Sequence, residues 1–180
     1  MGRAVTAAAL ASASVLGALA FAATPASAST LYYEWESEKS QFNYVMTARG
    51  TTEGSAVGVD LDTNSNLALW KATNFGGGYY SYTLKATETF VHPLCLDVQG
   101  DSKAESAPIV LRPCDSSQSQ QWLEMGGSFP TNRLQNKWSN MYIHQPTTGN
   151  ELTAKLRQNT LSGSGEPLSG ILWTYREVFK

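Results

Sequence analysis

Cys95-Leu96-Asp97-Val98, then Val110-Leu111-Arg112-Pro113-Cys114, then Gln120-Gln121-Trp122: this stretch decides the fold, because its closing tryptophan belongs to a series. Trp70 lies 52 residues before Trp122, and Trp173 lies 51 residues after it. Each of the three follows a polar or Gly-containing loop and opens a short strand-like run. The first two runs end in the turns Gly76-Gly77-Gly78 and Gly126-Gly127. Self-similarity at a fixed period sets the architecture before any single residue does. The expectation is three pseudo-equivalent units, roughly 29–76, 77–126 and 127–180, closing on a shared core.

The coarse pattern is all β. Tyr32-Tyr33-Glu34-Trp35, Tyr80-Ser81-Tyr82-Thr83-Leu84 and Met141-Tyr142-Ile143 are short, aromatic and partly alternating, and Val57–Leu61 and Ile109–Leu111 continue the pattern. No stretch after the N-terminal segment has a helical period. Short strands at regular spacing suggest a barrel or a sandwich, and a threefold period favours a barrel with pseudo-threefold symmetry. Laid over one another, the units align Leu96 with Val45 and Ile143, and Leu111 with Val59 and Leu156. The third unit carries about six extra residues near Ser162-Gly163-Ser164-Gly165, read as a loop insertion.

The N-terminus reads as a targeting segment. Arg3 is basic, residues Ala4 to Ala23 are uncharged and mostly apolar, and Pro25-Ala26-Ser27-Ala28 supplies a small-residue cleavage site. A secretory signal peptide over 1–28, cleaved after Ala28, is expected; the alternative is a membrane anchor. The mature chain, Ser29 to Lys180, would be one domain of 152 residues, long enough to bury a core. Removing Arg3 takes the formal charge from −2 to −3. A mildly acidic chain without a Lys/Arg cluster argues against nucleic acid and anionic membrane as partners, and no other segment is apolar enough to span a bilayer.

Cys95 and Cys114 are the only cysteines. An even count in an exported chain reads as one disulfide, here closing a loop of about 20 residues. With His92 and His144 as the only histidines, the paired spacing of a zinc site is absent, and no metal or cofactor is expected.

Together these residues resemble the ricin-type β-trefoil lectin repeat: Cys-Leu-Asp-Val, a second Cys nineteen residues on, then Gln-x-Trp. The second unit carries the match through Cys95, Leu96, Asp97, Val98, Leu111, Cys114, Gln120 and Trp122. The first and third units share the apolar skeleton and the terminal Trp. The resemblance implies a twelve-stranded β-trefoil with Trp70, Trp122 and Trp173 in equivalent core positions. It also implies sugar binding in shallow pockets: an Asp in the Cys-x-Asp segment accepts from sugar hydroxyls, an aromatic ring two residues before the second Cys stacks on the sugar, and an Asn before the glutamine adds a hydrogen bond. A pyranose has an apolar C–H face and a hydroxyl rim, so such a set suits it.

This chain keeps part of the set. Asp97 and Gln120 are in place, but Arg112 stands at the platform and Ser119 at the Asn position. The corresponding Asp and platform positions are Met46 and Asp60 in the first unit, and His144 and Arg157 in the third. Any sugar site is therefore expected in the second unit, around Asp97, Arg112, Ser119 and Gln120. Arg112 could stack its planar guanidinium or pair with an acidic sugar; alternatively Asp97 and Arg112 form a surface ion pair without a ligand. Gln120 could instead brace its loop. Tyr79, Tyr80 and Tyr82 could form an exposed aromatic face or divide between core and surface, and Trp35 and Trp138 read as packing residues, the alternative being that either is exposed for stacking. No nucleophile motif or fixed carboxylate pair supports catalysis. The reading is a secreted, monomeric, non-enzymatic carbohydrate-binding module with at most one weak site. The alternative is a protein-binding trefoil, an inhibitor or toxin-like accessory subunit, that uses its loops.

Overall fold

The computed structural model describes residues 29–39, 44–61, 65–126, 131–146, 154–161 and 168–180. The expected signal peptide and the expected insertion near Ser162 lie outside the described residues. Among these, no helix is long and apolar enough to cross a membrane.

The described residues form twelve strands: β1 (Leu31–Ser37), β2 (Tyr44–Ala48), β3 (Val57–Leu61), β4 (Trp70–Gly76), β5 (Tyr79–Leu84), β6 (Leu94–Val98), β7 (Ile109–Pro113), β8 (Trp122–Gly126), β9 (Asn132–Asn136), β10 (Tyr142–His144), β11 (Arg157–Asn159) and β12 (Trp173–Phe179). β1, β4, β5, β8, β9 and β12 pair in turn and close back on β1, so six strands form a barrel with no free edge. The remaining strands form three hairpins, β2–β3, β6–β7 and β10–β11. Each hairpin hangs from the barrel by a single pair: Glu36↔Val45, Thr83↔Cys95 and Gln135↔Tyr142. This is an all-β trefoil.

The three tryptophans explain the repeat. Each is fully buried at the first residue of its strand, because burying an indole in each unit fills the space between barrel and hairpins. Each also spends its one polar atom in the same way: Nε1 of Trp70 donates to Met46 O at 3.1 Å, of Trp122 to Leu96 O at 3.1 Å and of Trp173 to Ile143 O at 3.4 Å. Around them lie Trp35, Val57, Val59, Tyr82, Leu84, Ile109, Leu111, Leu134 and Leu156, all fully buried.

These bonds correct the alignment read from the sequence. Met46, not Val45, is the counterpart of Leu96 and Ile143. The hairpin registers agree, with Met46↔Val59, Leu96↔Leu111 and Ile143↔Gln158. Gln158 therefore takes the place of Leu111, and Leu156 matches Val57 and Ile109. A backbone ring joins these last three, Ile109 N to Leu156 O at 3.0 Å and Leu156 N to Val57 O at 2.8 Å. The slip arose because β2 is buried at every position, so its apolar run carries no alternation to set a frame. The positions matching Asp97 are thus Thr47, not Met46, and His144. Those matching Arg112 are Asp60 and, in the third unit, Asn159 rather than Arg157.

Candidate functional site

β6 and β7 form the hairpin of the second unit, with Cys95 opposite Arg112 and Asp97 opposite Val110. Cys95 and Cys114 are disulfide-bonded, with Cα atoms 5.0 Å apart, and tie the start of β6 to the end of β7. The turn Gln118–Gln120 packs over β6 and leaves Asp97 buried, its side chain 1 % exposed. Gln120 spends its amide on the hairpin: Nε2 donates to Asp97 Oδ2 at 3.0 Å and to Pro113 O at 2.9 Å, while Oε1 accepts from Asp115 N at 3.0 Å.

The surface ion pair expected between Asp97 and Arg112 takes a different form, because one partner lies inside. Arg112 Nε is 3.9 Å from Asp97 Oδ2 and 3.9 Å from Glu53 Oε1, and Nη1 is 3.7 Å from Asp101 Oδ1. The guanidinium thus spans three carboxylates without a close hydrogen bond to any of them. Burial pushes the Asp97 carboxyl above its ordinary value; the Gln120 amide, the Ser119 hydroxyl, the Val98 backbone N–H and the Arg112 charge pull it partly back. Ser119 is buried and donates to Asp101 Oδ1 at 2.7 Å, and its hydroxyl lies 2.9 Å from that of Ser117. The structure therefore gathers Asp97, Arg112, Ser119 and Gln120 into one network, with Asp97 and Gln120 at its floor.

Beside that network lies an open pocket of about 230 Å³, lined by Asp101, Ser117, Gln118, Ser119 and Trp138. Trp138 stands in the turn after β9 and is 39 % exposed, whereas Trp35 is fully buried. Its Nε1–H donates to Asp101 O at 2.8 Å, its backbone N donates to Asn136 Oδ1 at 3.0 Å, and Lys103 Nζ sits 3.6 Å from its ring centroid. Asn136 also donates through Nδ2 to Ser119 O at 2.7 Å, joining the two walls. The sequence carried no sign that Asp101 and Trp138 meet: they are 37 residues apart, in different units, and no motif spans them.

The tyrosines divide. Tyr82 is buried in the core and donates its hydroxyl to Glu124, while Tyr79 and Tyr80 are half-buried. Among the described residues, no group of three or more His, Cys, Asp or Glu is arranged to hold a metal ion.

A family model of the ricin-type β-trefoil lectin-like domain matches residues 69–159, half of the chain. The chain belongs to that family. The matched span runs from the residue before Trp70 through β11 and holds the whole disulfide-bonded second unit. At family level this ricin-type domain is a carbohydrate-binding module. No curated protein matches the chain closely enough to count. Solved structures share its fold. The designed threefold-symmetric protein ThreeFoil has 18 % identity and a TM-score of 0.70, over 80 % of this chain and 96 % of that one. An exo-β-1,3-galactanase from Clostridium thermocellum has 16 % identity and a TM-score of 0.71, over 83 % of this chain and 30 % of that one. A Polyporus squamosus lectin, solved with the epitope Neu5Aca2-6Galb1-4GlcNAc, has 14 % identity and a TM-score of 0.65, over 82 % of this chain and 48 % of that one. The ricin-type domain thus spans nearly all of the designed protein and less than half of the other two.

The burial of Asp97 changes what its replacement should do to this ricin-type domain. Asp97→Ala is expected to destabilise it by about 1–3 kcal/mol, because one buried amide N–H of Gln120 loses its acceptor. Asp97→Asn keeps an acceptor and drops the buried charge, so it should lose less. The raised carboxyl also sets a pH dependence. Its folded value lies above its unfolded one, so its ionisation weakens the fold as pH rises through the folded value, and protonation restores that stability. Glu124 is raised by burial in the same sense. Glu88 is lowered, first by the Lys71 ammonium and then by the Tyr32 hydroxyl, and has the opposite sign at lower pH. Urea midpoints measured from below the ordinary carboxylate range up to neutral pH test this: the Asp97 contribution should fall as pH rises through its raised value, Asp97→Asn should flatten that fall, and an unchanged profile would count against the burial of the charge.

Proposed function

We propose that the mature chain is exported, with 1–28 removed after Ala28, and acts as a monomeric, non-catalytic carbohydrate-binding module. Its single weak sugar site lies in the second unit, around Arg112 and Ser119 over the Asp97–Gln120 floor. The observation that carries this reading is the network of hydrogen bonds and longer ion pairs that gathers these four residues beside an open pocket. Open pockets with a few convergent polar groups are where small ligands bind. The sialylated epitope of the Polyporus squamosus lectin supports a glycan as the ligand class. One site gives no avidity, so binding should be weak in solution and stronger on a densely coated surface.

A glycan array probed with the mature chain tests the reading, with free galactose-type, xylose-type and uronic acid sugars as competitors. Binding to at least one glycan is expected, inhibited by the matching free sugar. Mass spectrometry of the exported protein should give Ser29 as the first residue. Silence across the whole array would favour the second reading, a protein-binding trefoil. That reading draws on Arg112, whose guanidinium lies among Asp97, Glu53 and Asp101 where a sugar would otherwise stack.

A further inference from the structure

Within that carbohydrate reading, on which it rests, we propose that the binding platform has moved. The pocket between Trp138 and Asp101 takes one neutral pyranose ring, stacked on the Trp138 indole with its vicinal hydroxyls on the Asp101 carboxylate.

Three features of the pocket carry this. First, Trp138 is the one tryptophan of five that reaches solvent; Trp35, Trp70, Trp122 and Trp173 are all fully buried. An exposed indole held in place is a ready platform for an apolar sugar face. Trp138 is held at its ring nitrogen by Asp101 O and at its backbone by Asn136. Lys103 Nζ sits 3.6 Å from the ring centroid and is not among the residues that line the pocket.

Second, Asp101 is presented to the pocket at a backbone cost. Gly100 and Asp101 both adopt left-handed conformations, φ 63° and 52°, and the second is unfavourable for a residue with a Cβ. Ser119 donates to Asp101 Oδ1, the oxygen nearest Arg112. Oδ2 remains as an acceptor for sugar hydroxyls, and Ser117 and Gln118 line the same pocket.

Third, both walls are pinned by one buried side chain. Gln158 donates through Nε2 to Ser102 O and Ala104 O, each at 2.9 Å, on the loop that carries Asp101. Through Oε1 it accepts from Ser139 Oγ at 2.6 Å, on the turn that carries Trp138. The other two units place Leu111 and Val59 there, apolar residues that cannot make such bonds. The amide in this unit sets the spacing of loop and turn, so the pocket is pre-organised and a ligand pays little to order it.

Size and charge define the ligand. A volume of about 230 Å³ is below the roughly 300–1,000 Å³ that accommodates drug-sized molecules, so a single ring fits. The charged group among the lining residues is a carboxylate, which disfavours uronic and sialic acids.

The test is titration of the mature chain with methyl galactoside, methyl xyloside and galacturonate, followed by acrylamide quenching of tryptophan fluorescence. With the other indoles buried, quenching reports on Trp138. Neutral glycosides should protect it, and galacturonate should not. Trp138→Ala should weaken binding by about tenfold or more, the loss of one stacking platform. Asp101→Asn should weaken it severalfold. Thermal melts establish that each variant is folded. If folded Trp138→Ala binds as tightly as wild type, the displaced site is wrong while the carbohydrate reading stands. A preference for galacturonate would overturn the neutral class. If the wild type binds no glycan on the array and no sugar protects Trp138, the reading and the inference both fall.

Discussion

Trp122→Ala is expected to cost about 3–5 kcal/mol, the usual penalty for truncating a large buried aromatic. Trp122 is fully buried where barrel and hairpin meet, and its ring N–H satisfies the Leu96 carbonyl at 3.1 Å. Truncation opens a cavity among Leu96, Leu111 and Leu134 and leaves that carbonyl without its donor. A domain of this size has about 5–15 kcal/mol in hand, so the variant should be marginal or unfolded at physiological temperature. Trp122→Phe keeps most of the volume and loses the bond, so its smaller cost separates packing from hydrogen bonding. Trp70→Ala should match Trp122→Ala. Trp173→Phe should lose less than Trp122→Phe, since the Trp173 bond to Ile143 is longer at 3.4 Å. Urea denaturation midpoints measure all of these. A cost under about 1 kcal/mol for Trp122→Ala would mean that the three indoles are not the common centre of the fold.

Removing the disulfide should have the next largest effect. Cys95 and Cys114 are 19 residues apart, and cross-linking a loop of that length restricts the unfolded chain by about 3 kcal/mol in the chain-entropy account. For a chain of this size that corresponds to a fall of about 6–12 °C in melting temperature on reduction, or in the Cys95→Ala/Cys114→Ala double variant. The native protein should take up no alkylating agent until it is reduced and unfolded. Two alkylatable thiols in native protein, or equal melting temperatures with and without reductant, would contradict the bond. The effect should centre on the second unit, because the bond joins the two strands that carry Asp97 and Arg112.

For the repeat and its local strands the sequence alone was enough. The intervals between Trp70, Trp122 and Trp173 announced three units, and the strand patterns of β3, β5 and β7 were legible, because strand propensity and turn chemistry are local. The disulfide followed from two cysteines in a chain read as exported. The resemblance of the second unit to ricin-type repeats named the family, and it rested on residues that all lie between Cys95 and Trp122.

Only the tertiary structure decided which residues face one another. It moved the first unit's frame from Val45 to Met46 and put Gln158 where an apolar residue was expected. An unbroken apolar run has no alternation to set its face, and backbone pairing with another strand supplies it. It buried Asp97, because the turn Gln118–Gln120 packs over β6. It also brought Trp138 out of the class of packing residues and set it against Asp101, two residues in different units whose contact depends on how neighbouring hairpins stand around the barrel. A contact of that kind leaves no periodic trace in either segment, because each side is an ordinary polar turn until the other is in place.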